Sequence, residues 1–175
     1  MVLKPQDVVV VLKLCRYEAG RPPFSQIAAE LGMSPSEVHG AVKRAQAARL
    51  LHGSELGEQP NISALVEFVV HGLKYAFPAE LGQLTRGIPT AHAAEPLKSL
   101  VTPGSDPPPV WPYGQGDTRG TGFSPLYPSV PVAALRDPEL YELLALCDAL
   151  RDGRSRDREI AEHELIKRLR KGRRA

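Results

Sequence analysis

The chain has 175 residues, of which 42% are hydrophobic and 24% charged, and its net charge is +2. This composition is typical of a globular protein with a large core and excludes a chain that is disordered throughout. A charge so close to zero excludes bulk electrostatic attraction as an argument for nucleic-acid or membrane binding. The apolar run Val8–Leu12 is too short to span a bilayer. Cys15 and Cys147 have no second Cys or His at ligand spacing, so we expect reduced thiols and a cytoplasmic protein without membrane association.

Composition divides the chain into four segments. Residues 1–56 have the pattern of short helices and are predicted to form an N-terminal helix-turn-helix domain. Residues 57–80 are predicted to contain a connecting or dimerisation helix from Ile62 to about Tyr75. Residues 81–134 hold 7 of the 15 glycines and 10 of the 17 prolines, and residues 135–175 hold two highly charged helices. We therefore predict a mainly α-helical fold in which an irregular Pro/Gly-rich middle segment wraps the helices and a helical hairpin ends the chain.

The strongest motif is a helix-turn-helix pattern over Phe24–Arg44. Two helices that cross steeply through a short turn need a small residue where they touch and a residue free to leave helical space, and Ala28 and Gly32 fit these needs. Ser34 and Glu37 form a Ser-x-x-Glu capping box for the second helix, with a proline directly after the serine. The positions that would hold the crossing are apolar at the required spacing, namely Ile27, Leu31, Met33, Val38 and Ala41.

Residues 6 to about 52 resemble the DNA-binding region of bacterial winged-helix transcriptional regulators, particularly the MarR-like kind. The resemblance rests on Ile27–Ser34, which reads Ile-Ala-Ala-Glu-Leu-Gly-Met-Ser, and on Val38–Leu51. It implies a homodimeric repressor whose second helix, from Ser34, enters the major groove of double-stranded DNA. In that family a β-hairpin wing follows the recognition helix, whereas here only the short stretch His52–Pro60 precedes another helix. The wing is therefore expected to be missing, shortened or supplied by the middle segment.

The exposed face of the second helix provides the candidate DNA-binding residues. Serines at its N-terminus are placed to reach phosphate or base edges, and a histidine and a lysine one turn apart project from the face opposite its valines. Two arginines continue a basic edge toward phosphates, and a glycine would allow close approach to the groove. The predicted set is Ser34, Ser36, His39, Gly40, Lys43, Arg44 and Arg49. Residues 1–80 carry 8 basic and 8 acidic side chains, so binding would depend on these placed residues and on two copies.

Two further predictions concern the second half of the chain. Asp137, with a proline after it, predicts the start of a helix that Gly153 ends in a left-handed conformation, and Ser155 predicts the cap of the next helix. Val110–Trp111 is predicted to pair with Thr121–Phe123 as a short hairpin. Apolar stripes mark the buried faces of the two C-terminal helices, namely Leu140, Leu143, Leu144, Cys147 and Leu150, and then Ala161, Leu165 and Leu169.

These patterns together predict a sequence-specific transcriptional regulator that binds double-stranded DNA as a homodimer. The alternative is an antitoxin-like or adaptor protein whose C-terminal two-thirds binds a partner protein. A basic tip, Lys167–Arg174, offers further phosphate contacts. We expect no enzymatic activity, cofactor or metal, because no nucleophile elbow, paired carboxylates or metal-ligand spacing occurs. The glycine-rich run Gly114–Gly122 also lacks the Gly-Lys-Ser/Thr ending of a phosphate-binding loop.

Overall fold

The computed structural model of the chain describes residues 1–55 and 57–171. Within them, helices from both ends of the chain pack into one core, and two small sheets lie at its margins. The elements in chain order are α1 (Pro5–Leu14), α2 (Phe24–Leu31), α3 (Pro35–Ala47), β1 (Leu51–Ser54), β2 (Gly57–Pro60), α4 (Ile62–Glu67), a π-helical turn (Phe68–Gly72), α5 (Leu73–Ala76), β3 (Leu81–Pro89), a 3-10 turn (Ala91–Ala93), α6 (Leu97–Leu100), β4 (Pro109–Pro112), β5 (Thr118–Phe123), α7 (Val130–Arg136), α8 (Pro138–Asp152) and α9 (Ser155–Lys171).

Helix α1 lies at the centre of the molecule. The five residues Val8–Leu12 have no solvent exposure, which requires neighbours on every side of the helix. One side of α1 packs against α3 and another against α8. The core therefore joins residues from the two ends of the chain.

The middle segment forms a closed three-stranded sheet. Strand β3 pairs antiparallel with both β4 and β5, and β4 pairs in parallel with β5. The prediction of a mainly α fold with an irregular middle segment is therefore wrong, because the fold is mixed α/β. The predicted hairpin is also wrong, since Val110 and Gly122 lie on parallel strands.

Close backbone approach explains why this sheet is rich in glycine. A Cβ atom at Gly87 would lie 2.0 Å from the carbonyl oxygen of Trp111 on the paired strand β4, so no other residue fits there without moving the backbone. Trp111 is fully buried beneath this contact. The composition that predicted irregular structure is thus what allows three short strands to close on one another.

The two C-terminal helices do not form a separate hairpin. Helices α8 and α9 pack on each other, as predicted, and their apolar stripes are buried. However, α8 also packs against α1 and α5, and α9 against α4 and α6. They are therefore part of the shared core.

Most of the predicted helix boundaries are confirmed. The helix expected from Ile62 to about Tyr75 is present as α4, the π-helical turn and α5. Asp137 caps α8 by accepting a hydrogen bond from the Leu140 N–H at 3.1 Å. Gly153 is an exception, because its φ of −70° is extended rather than left-handed. Glycine is required there because a Cβ would lie 2.2 Å from the Ala149 carbonyl oxygen.

Within the described ranges, no helix combines the length and the apolar character that crossing a membrane requires. The last residues of the predicted basic tip, including Arg173 and Arg174, lie outside the described residues.

Candidate nucleic-acid interface

The turn between α2 and α3 has the geometry that its sequence predicts. Gly32 adopts a left-handed conformation with φ of 67°, and its N–H donates to the Ala28 carbonyl, which also accepts from the Met33 N–H at 2.9 Å. Ser34 and Glu37 form the predicted capping box: the Ser34 N–H donates to the Glu37 carboxylate at 2.7 Å, and the Glu37 N–H donates to the serine hydroxyl oxygen at 3.2 Å. Local sequence therefore fixes where α3 begins.

Helix α3 has one buried and one exposed face. Its buried residues are Val38, Ala41, Val42 and Ala45, and they hold the helix against α1. Five of the predicted DNA-binding residues are exposed, namely Ser34, Ser36, His39, Lys43 and Arg49, and Gly40 is half-buried. Among the residues that the structure describes, neither Lys43 nor Arg49 has an ion-pair partner.

Arg44 has a different environment from the rest of the predicted set. Its guanidinium donates two hydrogen bonds to the Asp7 carboxylate, at 2.8 and 2.7 Å, and Asp7 is fully buried in the first turn of α1. These bonds raise the pKa of Arg44 above its ordinary value. The pair fastens α3 to α1, so Arg44 lies behind the exposed face. No local pattern predicts this contact, because it joins residues of two different helices.

A two-stranded antiparallel hairpin follows α3 directly. Strand β1 pairs with β2 over four residues, from Leu51 with Pro60 to Ser54 with Gly57. A short hairpin therefore lies after the second helix, at the position where the resemblance to winged-helix regulators would place a wing. The buried residues Leu51 and Pro60 anchor its base, and His52 is exposed on β1. Its strands are short and contain no β-branched residues, which is why strand patterns miss it.

A stack of three side chains connects this hairpin to α3. The Arg21 guanidinium carbon lies 3.9 Å from the centroid of the Phe24 ring, and the Phe24 and His39 ring centroids are 5.5 Å apart. Arg21 also donates to the carboxylate of Glu58 on β2. Burial alone would raise the pKa of Glu58, but the contact with Arg21 holds it below its ordinary value. The stack thus positions both His39 and the hairpin, although the sequence analysis identified neither Arg21 nor Phe24 for this role.

The second half of the chain also supports the helix-turn-helix. The Tyr127 hydroxyl donates to Glu37, and together with the Ser34 contacts it lowers the pKa of that carboxylate. Arg136 of α7 donates to the Ala29 carbonyl of α2 at 2.8 Å. The candidate interface is therefore attached to residues about 90 to 107 positions further along the chain.

The exposed polar side chains of α3 are hydrogen-bonding groups. Within residues 1–55 and 57–171, no group of three or more His, Cys, Asp or Glu side chains converges where it could hold a metal ion. The exposed groups on α3 are hydroxyls, an imidazole and an ammonium, which donate or accept hydrogen bonds.

Comparisons with protein-family models, curated proteins and solved structures give no significant match. The resemblance to winged-helix regulators therefore remains a prediction from the motif residues.

Proposed function

We propose that the chain is a transcriptional regulator that binds double-stranded DNA sequence-specifically, as a homodimer, through the exposed face of α3. The observation that supports this most directly is the arrangement of Ser36, His39 and Lys43 on one open face of a capped helix. These residues are spaced at three and four positions, so their side chains project from the same side. Helix α3 has 13 residues and is therefore about 20 Å long. The major groove of DNA is about 12 Å wide, which is enough to admit an α-helix across its diameter.

The polar groups on this face match the chemistry of the groove. The Ser34 hydroxyl oxygen already accepts the Glu37 N–H, and its proton is still available to a phosphate oxygen. Ser36 and His39 would reach base edges, which carry sequence information. Lys43 and Arg49 would contact the phosphate backbone. The β1–β2 hairpin lies beside the same helix and enlarges the surface that faces DNA.

The small number of unpaired cations explains why two copies are needed. One chain presents Lys43 and Arg49, so a dimer presents four phosphate-binding cations. Each neutralised phosphate contributes about −0.9 to the slope of log K against log salt concentration, and four predict a slope of about −3.6. This electrostatic contribution is modest, and we expect a monomer to bind weakly.

The direct test is binding of the purified protein to the DNA upstream of its gene over a series of salt concentrations. We expect Lys43→Ala to weaken binding and to make the slope less negative by about 2, because a dimer loses two phosphate contacts. Fluorescence anisotropy measures both quantities.

Lys98→Ala is the matched control, since Lys98 is an exposed lysine on α6. It should leave affinity and slope unchanged. If the wild-type protein binds neither the upstream DNA nor random duplex at low salt, the proposal is wrong. An equal effect of Lys43→Ala and Lys98→Ala would exclude α3 as the contact helix.

A further inference from the structure

The first half of β3 has an unpaired edge. Leu81 and residues 84–86 pair with β5 on one side, with an irregularity at residues 82 and 83, whereas β4 pairs only with residues 87–89. The Arg86 carbonyl accepts the Tyr113 N–H at 3.1 Å, and this bond marks where coverage of the other edge begins. Before Arg86, no strand in the described parts of the chain covers that edge.

Two leucine side chains on this half-strand are more than half exposed. Leu81 is 58% and Leu84 53% exposed, and Gly82 and Gln83 between them are exposed as well. Monomeric proteins normally protect such an edge with proline or lysine, and residues 81–85 contain neither. A bulge between Leu81 and Leu84 gives the edge some protection, but it leaves the backbone groups uncovered. This edge is therefore suited to accept a further strand.

The charges at the two ends of the half-strand identify the strand that fits. Glu80 lies at one end and Arg86 at the other, both exposed and neither with an ion-pair partner among the residues described. Arg86 also lies opposite Arg119 of β5, and like charges in that position repel. A carboxylate that approaches Arg86 would relieve this repulsion.

We propose that this edge pairs antiparallel with the same edge of a second copy of the chain, across a two-fold axis. Pairing of residues 81–85 of the two strands, centred on Gln83, ends where Tyr113 covers the backbone of Arg86, and it brings the Glu80 side chain of each copy toward the Arg86 side chain of the other. The surface is thus complementary to itself, as a two-fold interface requires. Leu81 and Leu84 become covered in the same step, which buries apolar area that one copy leaves in water.

The inference rests on the proposed function for its biological role, because it locates the contact between the two copies that DNA binding needs. The dimer itself is tested without DNA. If the chain dimerises at β3 but ignores DNA, the proposed function fails alone. If the chain binds DNA as a dimer that forms through another surface, only this inference fails.

The first test is charge reversal, measured by sedimentation equilibrium of the full chain over a range of concentrations. We expect a wild-type dimer. Glu80→Arg and Arg86→Glu each place two repelling pairs in the interface and should weaken the dimer at least about tenfold. The double variant Glu80→Arg/Arg86→Glu restores opposite charges and should restore association. Failure of the double variant to associate better than the single variants would overturn the proposal.

The second test uses exposed leucines as a matched pair. Leu84→Lys adds a charge to the edge and should leave a monomer, whereas Leu135→Lys, at a leucine that is 57% exposed on α7, should not affect association. Far-UV circular dichroism checks that both variants fold. A wild-type chain that stays monomeric at every concentration overturns the proposal. So does a dimer that Leu84→Lys leaves intact, since the interface would then lie elsewhere.

Discussion

Arg49 shows a conflict between backbone geometry and side-chain identity. The Leu50 N–H donates to the Ala45 carbonyl and the Arg49 N–H to the Gln46 carbonyl, both at 2.9 Å, which is the Schellman pattern at the end of α3. Arg49 occupies the left-handed position, with φ of 61°. Glycine is usual at this position, because a side chain there costs about 1 kcal/mol. A phosphate contact by the exposed guanidinium would account for an arginine at this strained position.

We therefore expect Arg49→Gly to increase the stability of the protein and to weaken its binding to DNA. The substitution should raise the free energy of unfolding by about 0.5–1 kcal/mol, because glycine adopts a positive φ without steric strain. It should also weaken DNA binding and make the salt slope less negative by about 2. Urea denaturation and a salt titration measure the two effects.

Arg49→Ala is the control for this prediction. It removes the same charge but keeps a Cβ at the left-handed position, so it should weaken binding without a gain in stability. Unchanged DNA binding by both variants would show that Arg49 makes no phosphate contact. A loss of stability in Arg49→Gly would contradict the strain argument.

At the scale of elements, one buried ammonium group connects three helices. Lys13 of α1 is 5% exposed, and its Nζ lies 2.8 Å from an Asp137 carboxylate oxygen and 2.7 Å from a Glu30 carboxylate oxygen. Glu30 belongs to α2, and Asp137 is the N-cap of α8. Burial alone would raise the pKa of Asp137, but Lys13, the Leu140 N–H and Arg16 hold it below its ordinary value. Lys13 therefore holds α1, α2 and α8 in a fixed arrangement.

Lys13→Met should destabilise the protein by about 3 kcal/mol near neutral pH, because it removes the cation of Glu30 and leaves Asp137 with only the more distant Arg16. A carboxylate with a depressed pKa in the folded state contributes stability above its unfolded pKa, and that contribution is lost as pH falls through the folded value. The difference between Lys13→Met and the wild type should therefore shrink below about pH 4.

Urea denaturation at neutral and acidic pH measures this difference. Lys43→Met is the control, since Lys43 is exposed and unpaired among the described residues and its loss should change stability little. An equal effect of Lys13→Met at both pH values would contradict the ion-pair account and favour lost packing instead.

The contrast between α3 and β3 shows what the sequence could predict. The ends of α3 depend on groups within a few residues, such as Ser34 with Glu37, and the sequence predicts these correctly. Strand β3 depends on partners about 20 to 40 residues away, and its glycines serve a close approach that composition cannot distinguish from disorder. The ion pair between Arg44 and Asp7 also joins distant residues, so the sequence did not predict it. The local sequence pattern predicts the exposed face of α3. Packing between distant parts of the chain decides which of its cationic side chains forms an ion pair.

At the scale of the molecule, the helix-turn-helix and the C-terminal half share one core. Asp148 of α8 accepts hydrogen bonds from the Trp111 indole N–H and the Thr90 hydroxyl, both at 2.7 Å, and pairs with Arg151 at 2.8 Å. Arg151 also donates to the Phe77 carbonyl at 2.9 Å. This buried network holds the three-stranded sheet on α8, and α8 in turn covers α1.

We therefore expect a fragment of residues 1–76 not to fold cooperatively. Removing α8 would expose part of the fully buried run Val8–Leu12, and Lys13 would lose Asp137. Each Å² of apolar area that α8 covers on α1 contributes about 25 cal/mol, and the fragment would lose this contribution from a stability that is small in any domain. Circular dichroism during urea titration should show no sharp transition, whereas the full chain should show one. A fragment that unfolds cooperatively and binds DNA would contradict this view.

The open face of α3 also has an evolutionary consequence. Among the described residues, the side chains of Ser36 and Lys43 form no ion pair or hydrogen bond with the rest of the protein, whereas Arg44 and Val38 on the inner side are held by packing and pairing. If α3 contacts DNA as we propose, substitutions at Ser36 would change which bases the helix prefers, and substitutions at Lys43 would change its affinity, both at little cost to folding. Duplicated copies of such a gene could acquire new target sequences by changes on one helix face while the rest of the molecule stays the same.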